Sequence, residues 1–269
     1  MRDRNLVSNL GIYVYGGAGI FLGLVGLLSG NFAVTWQHVG PNAPFREPLA
    51  YFTALVELAA GIAVIVPRTA RIGAVTLTIV YSVFTLLWVP KAFVDVFALH
   101  YDAMGNIFEE FSMVVGGLVL CAVLMSAGSA WSRSEALFAR LFGICSISFG
   151  IVQILDTMPG LTRWIPKWLP PNQLFWVYAT TVSFFLAAAA ILTGIMAPLA
   201  ARLLTAEIVG FQILVWIPKV VAGPREHFNW AGNSINLAIA AAAWVVSDSI
   251  SRLAKRKPAP VPAEAASGA

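Results

Sequence analysis

The sequence predicts an all-α, polytopic membrane protein with eight transmembrane helices, arranged as two parallel tandem copies of one four-helix unit. Three observations carry this expectation. First, 59% of the 269 residues are hydrophobic and only 11% are charged, with a mean hydropathy of +0.79. Soluble domains run at about 45–50% apolar and about 25% charged, so the solvent for most of this surface must be lipid. Second, the apolar segments run about 16–23 residues without a break, as spanning helices do, rather than alternating over about ten as barrel strands do. Third, a set of landmarks recurs in the same order at a nearly constant offset.

Taken in order, the apolar segments place helices near 10–28, 48–66, 72–90 and 105–127, then near 139–156, 174–195, 203–218 and 232–247. Arg2 and Arg4 precede the first segment, as they would in a signal peptide. That segment is long for such a peptide, and a related helix recurs at 139–156, so it reads as a retained span. With alternate loops on opposite sides, one side carries 11 basic residues (Arg2, Arg4, Arg68, Arg71, Arg133, Arg140, Arg202, Arg252, Lys255, Arg256 and Lys257). The other carries six: Arg46, Lys91, Arg163, Lys167, Lys219 and Arg225. The excess of basic residues on cytoplasmic loops then puts both termini in the cytoplasm of a cell inner membrane. The net charge of +4 calls for no nucleic acid. Arg252 to Lys257 would lie against anionic lipid heads, and the Pro/Ala-rich stretch after them has the composition of a disordered tail.

The repeat is visible residue by residue. Trp88-Val89-Pro90-Lys91 returns 128 residues later as Trp216-Ile217-Pro218-Lys219, and His100 with Gly105-Asn106 returns 127 later as His227 with Gly232-Asn233. Pro67 with Arg71 returns as Pro198 with Arg202, and Pro41-Asn42 as Pro171-Asn172. Each copy holds an even number of crossings, so the two share one orientation, related by an axis along the membrane normal. The resulting division is a first unit over 1–131, a second over 132–250 and a basic, Pro/Ala-rich tail over 251–269. Within the first helix, Gly19 and Gly23, flanked by Gly16 and Gly26, would let a neighbouring helix approach closely.

Glu57-Leu58-Ala59-Ala60-Gly61, Arg71-Ile72-Gly73-Ala74 and His100 with Gly105-Asn106 and Glu109 resemble the DoxX family of small four-helix membrane proteins. The resemblance spans nearly all of 10–127 and, more faintly, 139–247, as two such units fused. The second copy departs from the pattern: Ala188 falls near the place of Glu57, and Asn236 takes the place of Glu109. The resemblance implies membrane location and, for some members of the family, association with quinone-linked redox systems; most members have no established activity.

Ionisable groups inside a bilayer are the best pointers to chemistry, since each costs about 2.5–3.5 kcal/mol at a helix centre on insertion scales. Glu57 lies mid-helix with no adjacent cation. It reads either as a proton-handling or ligand-contacting group, or as a neutral acid hydrogen-bonded between helices. Glu109 and Glu110 open the fourth segment. Asn106 three residues before Glu109 has capping-box spacing, which would make Glu109 a cap, while Glu110 points about 100° away around the helix. The repeated Trp-x-Pro-Lys reads as an interfacial tryptophan, a proline ending the helix and a lysine at the headgroups. Alternatively, Lys91, His100, Lys219 and His227 form a basic rim that could hold an anionic substrate, a lipid head or a quinone carbonyl. Glu207 is expected to pair with Arg202 or another arginine nearby, and Asp156 to neutralise Arg163.

Other chemistries find no footing. Cys121 and Cys145 form no C-x-x-C and sit inside apolar segments, so they read as small hydrophobes. His38, His100 and His227 fall in loops rather than within helices where haem would need them, and no spacing signature supports a metal site. Phosphate-binding and dinucleotide glycine loops, the zinc-protease helix and a nucleophile with its base are all missing. The favoured expectation is a non-autonomous membrane subunit. It would bind a small hydrophobic molecule such as quinone, through Glu57, Glu110, Lys91, His100, Lys219 and His227, in support of a redox or stress-related partner protein. The alternatives are a small-solute transporter or channel with a path between the repeats, and a scaffold without ligand. The oligomeric state is not set by the sequence.

Overall fold

The computed structural model describes residues 10–33, 35–97, 101–126, 128–155 and 164–256. Among them the chain is helical, with no strand, and eight helices are long and apolar enough to cross a membrane. They are α1 (Leu10–Ser29), α2 (Arg46–Ile65), α3 (Ala70–Asp95), α4 (Asp102–Leu124), α5 (Glu135–Leu155), α6 (Gln173–Thr193), α7 (Ala197–Ala222) and α8 (His227–Arg256). The start of α1 and the end of α8 meet, since the Gly11 amide donates to Asp248 Oδ2 at 3.2 Å. Both ends of the bundle therefore lie on one side, called here the terminal face; the opposite side is the distal face.

Within the first half α1 packs on α2, α2 on α3 and α3 on α4; within the second α5 packs on α6, α6 on α7 and α7 on α8. Between halves α1 meets α8, α4 meets α5, and α4 meets α8. The α1–α2 seam is built on absent side chains. A Cβ at Gly61 would lie 2.5 Å from the Ile20 amide nitrogen, and one at Gly23 2.6 Å from the Ala54 carbonyl oxygen. Small residues at such seams let backbones close in and gain dispersion, the main attraction left when lipid is as apolar as leucine. The glycines of α1 thus do what their spacing suggested.

The α4–α8 seam follows the same logic with alanine. Ala240, Ala241, Ala242 and Ala243 are almost wholly buried, and Gly116 of α4 faces Ala242. One apolar core runs through both halves, from Tyr15 and Leu77 through Met113 and Val115 to Ile235 and Val246. Its complement faces lipid: Leu28, Phe52, Ile72, Leu86 and Leu186 are all more than 60% exposed, which in water would be a large penalty and in hydrocarbon is none.

Several boundaries differ from expectation for physical reasons. Pro90 and Pro218 do not end their helices. At Trp88 the α3 backbone makes one irregular turn and resumes as helix from Val89, where Pro90 occupies the first turn and needs no amide partner. In α7 the same motif is preceded by a π-helical stretch, Gln212–Trp216, and helix resumes at Ile217. α4 begins at Asp102, so Asn106 lies one turn inside and donates to the Asp102 carbonyl at 2.9 Å. The capping-box reading of Asn106 and Glu109 is thereby overturned. α8 starts at His227 and runs to Arg256, so the first six residues of the expected tail (251–269) are helical. Arg2, Arg4, His100, Asp156, Arg163 and 257–269 lie outside the described residues.

Candidate functional site

The loop between α1 and α2 folds back into the distal end of the first half instead of lying on its surface. Phe32, Ala33, Trp36 and Gln37 are all buried. A buried loop must satisfy its polar groups internally, and here it does so through three side chains. Gln37 accepts from the Ala33 amide at 2.9 Å and donates from Nε2 to Glu57 Oε1 at 2.8 Å. Trp36 Nε1 donates to Glu109 Oε2 at 2.5 Å, and Trp88 Nε1 donates to the Trp36 carbonyl at 2.6 Å. His38 stacks on Trp88, with ring centroids 4.1 Å apart. Glu57 thus anchors the inward loop to α2 through Gln37, a partner in a loop rather than on a neighbouring helix.

Glu109 and Glu110 are adjacent in sequence and part company around α4. Glu110 turns into the first half, wholly buried, near enough to Glu57, Glu109 and Tyr81 to interact electrostatically. Neither of its carboxyl oxygens has a hydrogen-bond partner. Glu109 turns toward the second half. It lines a pocket of about 200 Å³ whose other polar members are Gln153 of α5 and Asn236 of α8, with Trp164, Phe184, Phe211 and Trp216 among its walls. Asn236, which the sequence pattern sets opposite Glu109, lines the same cavity from α8.

The hydrogen bonds already made decide what each polar group can still offer. Glu109 has given Oε2 to Trp36, which leaves Oε1 as an acceptor. Asn236 donates from Nδ2 to Gln212 Oε1 at 2.7 Å and to the Ile208 carbonyl at 3.3 Å, which leaves its carbonyl oxygen. Gln153 accepts at Oε1 from the Thr180 and Thr181 hydroxyls at 2.9 and 2.8 Å, which leaves its NH₂. Gln212 also donates to Asn233 Oδ1 at 2.7 Å, so the π-helical stretch holds the amide chain that orients Asn236. The pocket therefore presents two acceptors and one donor group among aromatic faces.

Toward the distal face the pocket is roofed by rings. Trp36 stacks on Phe228 at 5.7 Å and meets Trp216 edge-on at 5.8 Å, while Trp164 lies 5.4 Å from Trp216. Lys219 Nζ stands 3.3 Å above the centre of the Trp164 ring, a cation–π contact. His227 Nε2 lies 2.9 Å from the Phe32 carbonyl, so its ring N–H donates across the halves. Lys91 stands apart from this group, paired with Asp95 at 2.8 Å one turn on. Of the residues singled out in the sequence, the structure brings Glu57 and Glu110 together in the first half and Lys219 and His227 to the aromatic roof. His100 lies outside the described residues.

Sequence reasoning missed Trp36, Gln37 and Trp164, whose roles depend on loops folding inward, and assigned Glu109 to capping. It also expected Glu207 to pair with Arg202 or another arginine nearby. Glu207 instead accepts from Ser183 at 2.6 Å in a separate cavity of about 150 Å³ beside Trp176 and Thr180, and Arg202 donates to Ser251 at 3.3 Å. Among the described residues no group of three or more metal-ligating side chains occurs. Comparisons with family models, with curated proteins and with solved structures return no match.

Proposed function

We propose that this chain is a DoxX-like membrane subunit, built as two parallel four-helix repeats, that binds one small planar hydrophobic molecule in the pocket between its halves. The carrying observation is the pocket's own polar inventory: Glu109 Oε1 and the Asn236 carbonyl as acceptors, the Gln153 NH₂ as donor, and aromatic walls around them. A hydroquinone ring matches it, with two hydroxyls to donate and oxygens to accept, and the oxidised quinone keeps the contact with Gln153. The size agrees. An apolar cavity of about 150 Å³ admits a benzene, so about 200 Å³ takes one substituted ring, and a longer chain would have to leave toward lipid. Glu57, the residue first expected to touch the ligand, acts one step removed by fixing the loop that carries Trp36.

Binding is favoured over passage because most of the pocket's lining is apolar or aromatic, with Phe149, Val152, Phe184, Ile208, Val215 and Ile239 among it. With no serine, threonine, cysteine or lysine among its lining residues, the site suits a subunit that holds a ligand for a redox partner in the same membrane. Both termini are assigned to the cytoplasm on the distribution of basic residues.

The test is tryptophan fluorescence of the purified protein in mild detergent, titrated with tetramethylhydroquinone, since three tryptophans form the pocket and its roof. Saturable quenching should weaken about tenfold in Gln153→Leu or Asn236→Leu, one hydrogen bond of about 1.4 kcal/mol each. Quenching that never saturates, or that both variants leave unchanged, would remove the pocket from consideration.

A further inference from the structure

At the terminal face α1, α7 and α8 enclose a larger cleft of about 830 Å³ that shares no lining residue with the distal pocket. Its upper wall is apolar, with Leu10, Val209 and Trp244, and its mouth carries Arg202, Arg252 and Lys255 with a single carboxylate, Asp248. Several of these groups are already engaged. Asp248 accepts from the Gly11 amide at 3.2 Å. Arg252 is held by Glu135 at 2.6 Å, and the same carboxylate accepts from Ser249 at 2.7 Å. Arg202 makes a 3.3 Å contact to Ser251 and lies near enough to Asp248 to attract its charge, and both Arg202 and Lys255 are exposed.

The height of these cations in the bilayer follows from helix length. α8 has 30 residues and is about 45 Å long, against a hydrocarbon core of about 30 Å. Its last turns therefore reach headgroup level, and the Arg202–Ser251 contact places the first turns of α7 at the same level. Cations at phosphate height above an apolar wall facing the acyl region match an amphiphile with an anionic head.

We propose that this cleft is a binding site for one anionic phospholipid, its phosphate between Arg202 and Lys255 and an acyl chain along Val209 and Trp244. Arg252, fixed by Glu135, sets the third side of the phosphate position without moving. The site is independent of the distal pocket, and its occupancy would pin α7 to α8 at the end opposite to the π-helical stretch.

Native mass spectrometry of the protein released from detergent tests this, with equimolar phosphatidylglycerol and phosphatidylcholine of identical chains. Phosphatidylglycerol should be retained preferentially. Retention should fall roughly twenty-five-fold in the Arg202→Gln/Lys255→Gln double variant, at about fivefold per basic group. An Arg68→Gln/Arg71→Gln variant, which loses the same charge on the same face outside the cleft, should retain the lipid as wild type does. The charge-preserving Arg202→Lys/Lys255→Arg variant should also retain it, which separates recognition from misfolding. Equal retention of the two lipids, or equal loss in the Arg68/Arg71 control, would overturn the proposal, as would loss in the charge-preserving variant. Competition by inorganic phosphate as effective as that by dihexanoyl phosphatidylglycerol would overturn it in favour of the free anion.

Discussion

Glu110 and Glu57 are two buried acids of one interior, and their replacement by methionine should move stability in opposite directions. Methionine nearly matches glutamate in length and volume, so cavity effects are small. Glu110 is wholly buried with both carboxyl oxygens unpartnered. An unsatisfied buried polar group costs about 1–3 kcal/mol, and an apolar isostere removes that cost. Glu110→Met should therefore stabilise the bundle by about 1–3 kcal/mol. Glu57 has a partner: Gln37 donates to it at 2.8 Å and holds the inward loop. Glu57→Met leaves the Gln37 amide buried and unpaired, so it should destabilise by about 1–3 kcal/mol. Reversible unfolding in mixed micelles, followed by tryptophan fluorescence, gives both values on one scale. A Glu110→Met protein less stable than wild type would refute the reasoning, because it would mean that the folded protein supplies Glu110 with a partner worth more than its desolvation.

The packing seams and the terminal-face ion pair give three further predictions. Gly61→Ala should destabilise by about 1–3 kcal/mol in the same unfolding assay, because the new methyl meets the Ile20 backbone, which cannot yield as a side chain can. Gly232→Ala should cost a similar amount and also shift the tryptophan emission, since the added Cβ would run into the Trp216 ring. An unchanged spectrum would show that the ring is not held there. Glu135→Ala should cost about 1.5–3 kcal/mol by removing the charged partner of Arg252 and the acceptor of Ser249, and Ser249→Ala should cost less; the reverse order would contradict the assigned geometry.

The distal pocket and the loop beneath its roof were only partly legible in advance. That Glu57 must face the bundle follows from its position among Val56, Leu58 and Ala59, whatever the neighbouring helices do. Which group satisfies it does not follow, because Gln37 reaches it from a loop that the sequence gives no reason to bury. The Glu109 error has a similar origin. Asn106 three residues before an acid is a valid helix-start signal, but α4 had already begun at Asp102, and Trp36, 73 residues upstream, takes the carboxylate. Local spacing and a long-range partner competed for the same side chain, and only the folded chain reveals the winner.

What the sequence alone determined is the set of eight helices, since in hydrocarbon each span must satisfy its own backbone, and that requirement is local and written in apolar runs. The small residues of the α1–α2 seam were legible for the same reason: they lie at fixed spacing on one helix. Tertiary structure alone decided the rest. It selected which face of α4 met which half, sent Glu110 inward without a partner, and set Glu109, Gln153 and Asn236 around one cavity. Those outcomes depend on how whole helices rotate against one another, a choice made by the summed packing of many side chains distant in sequence.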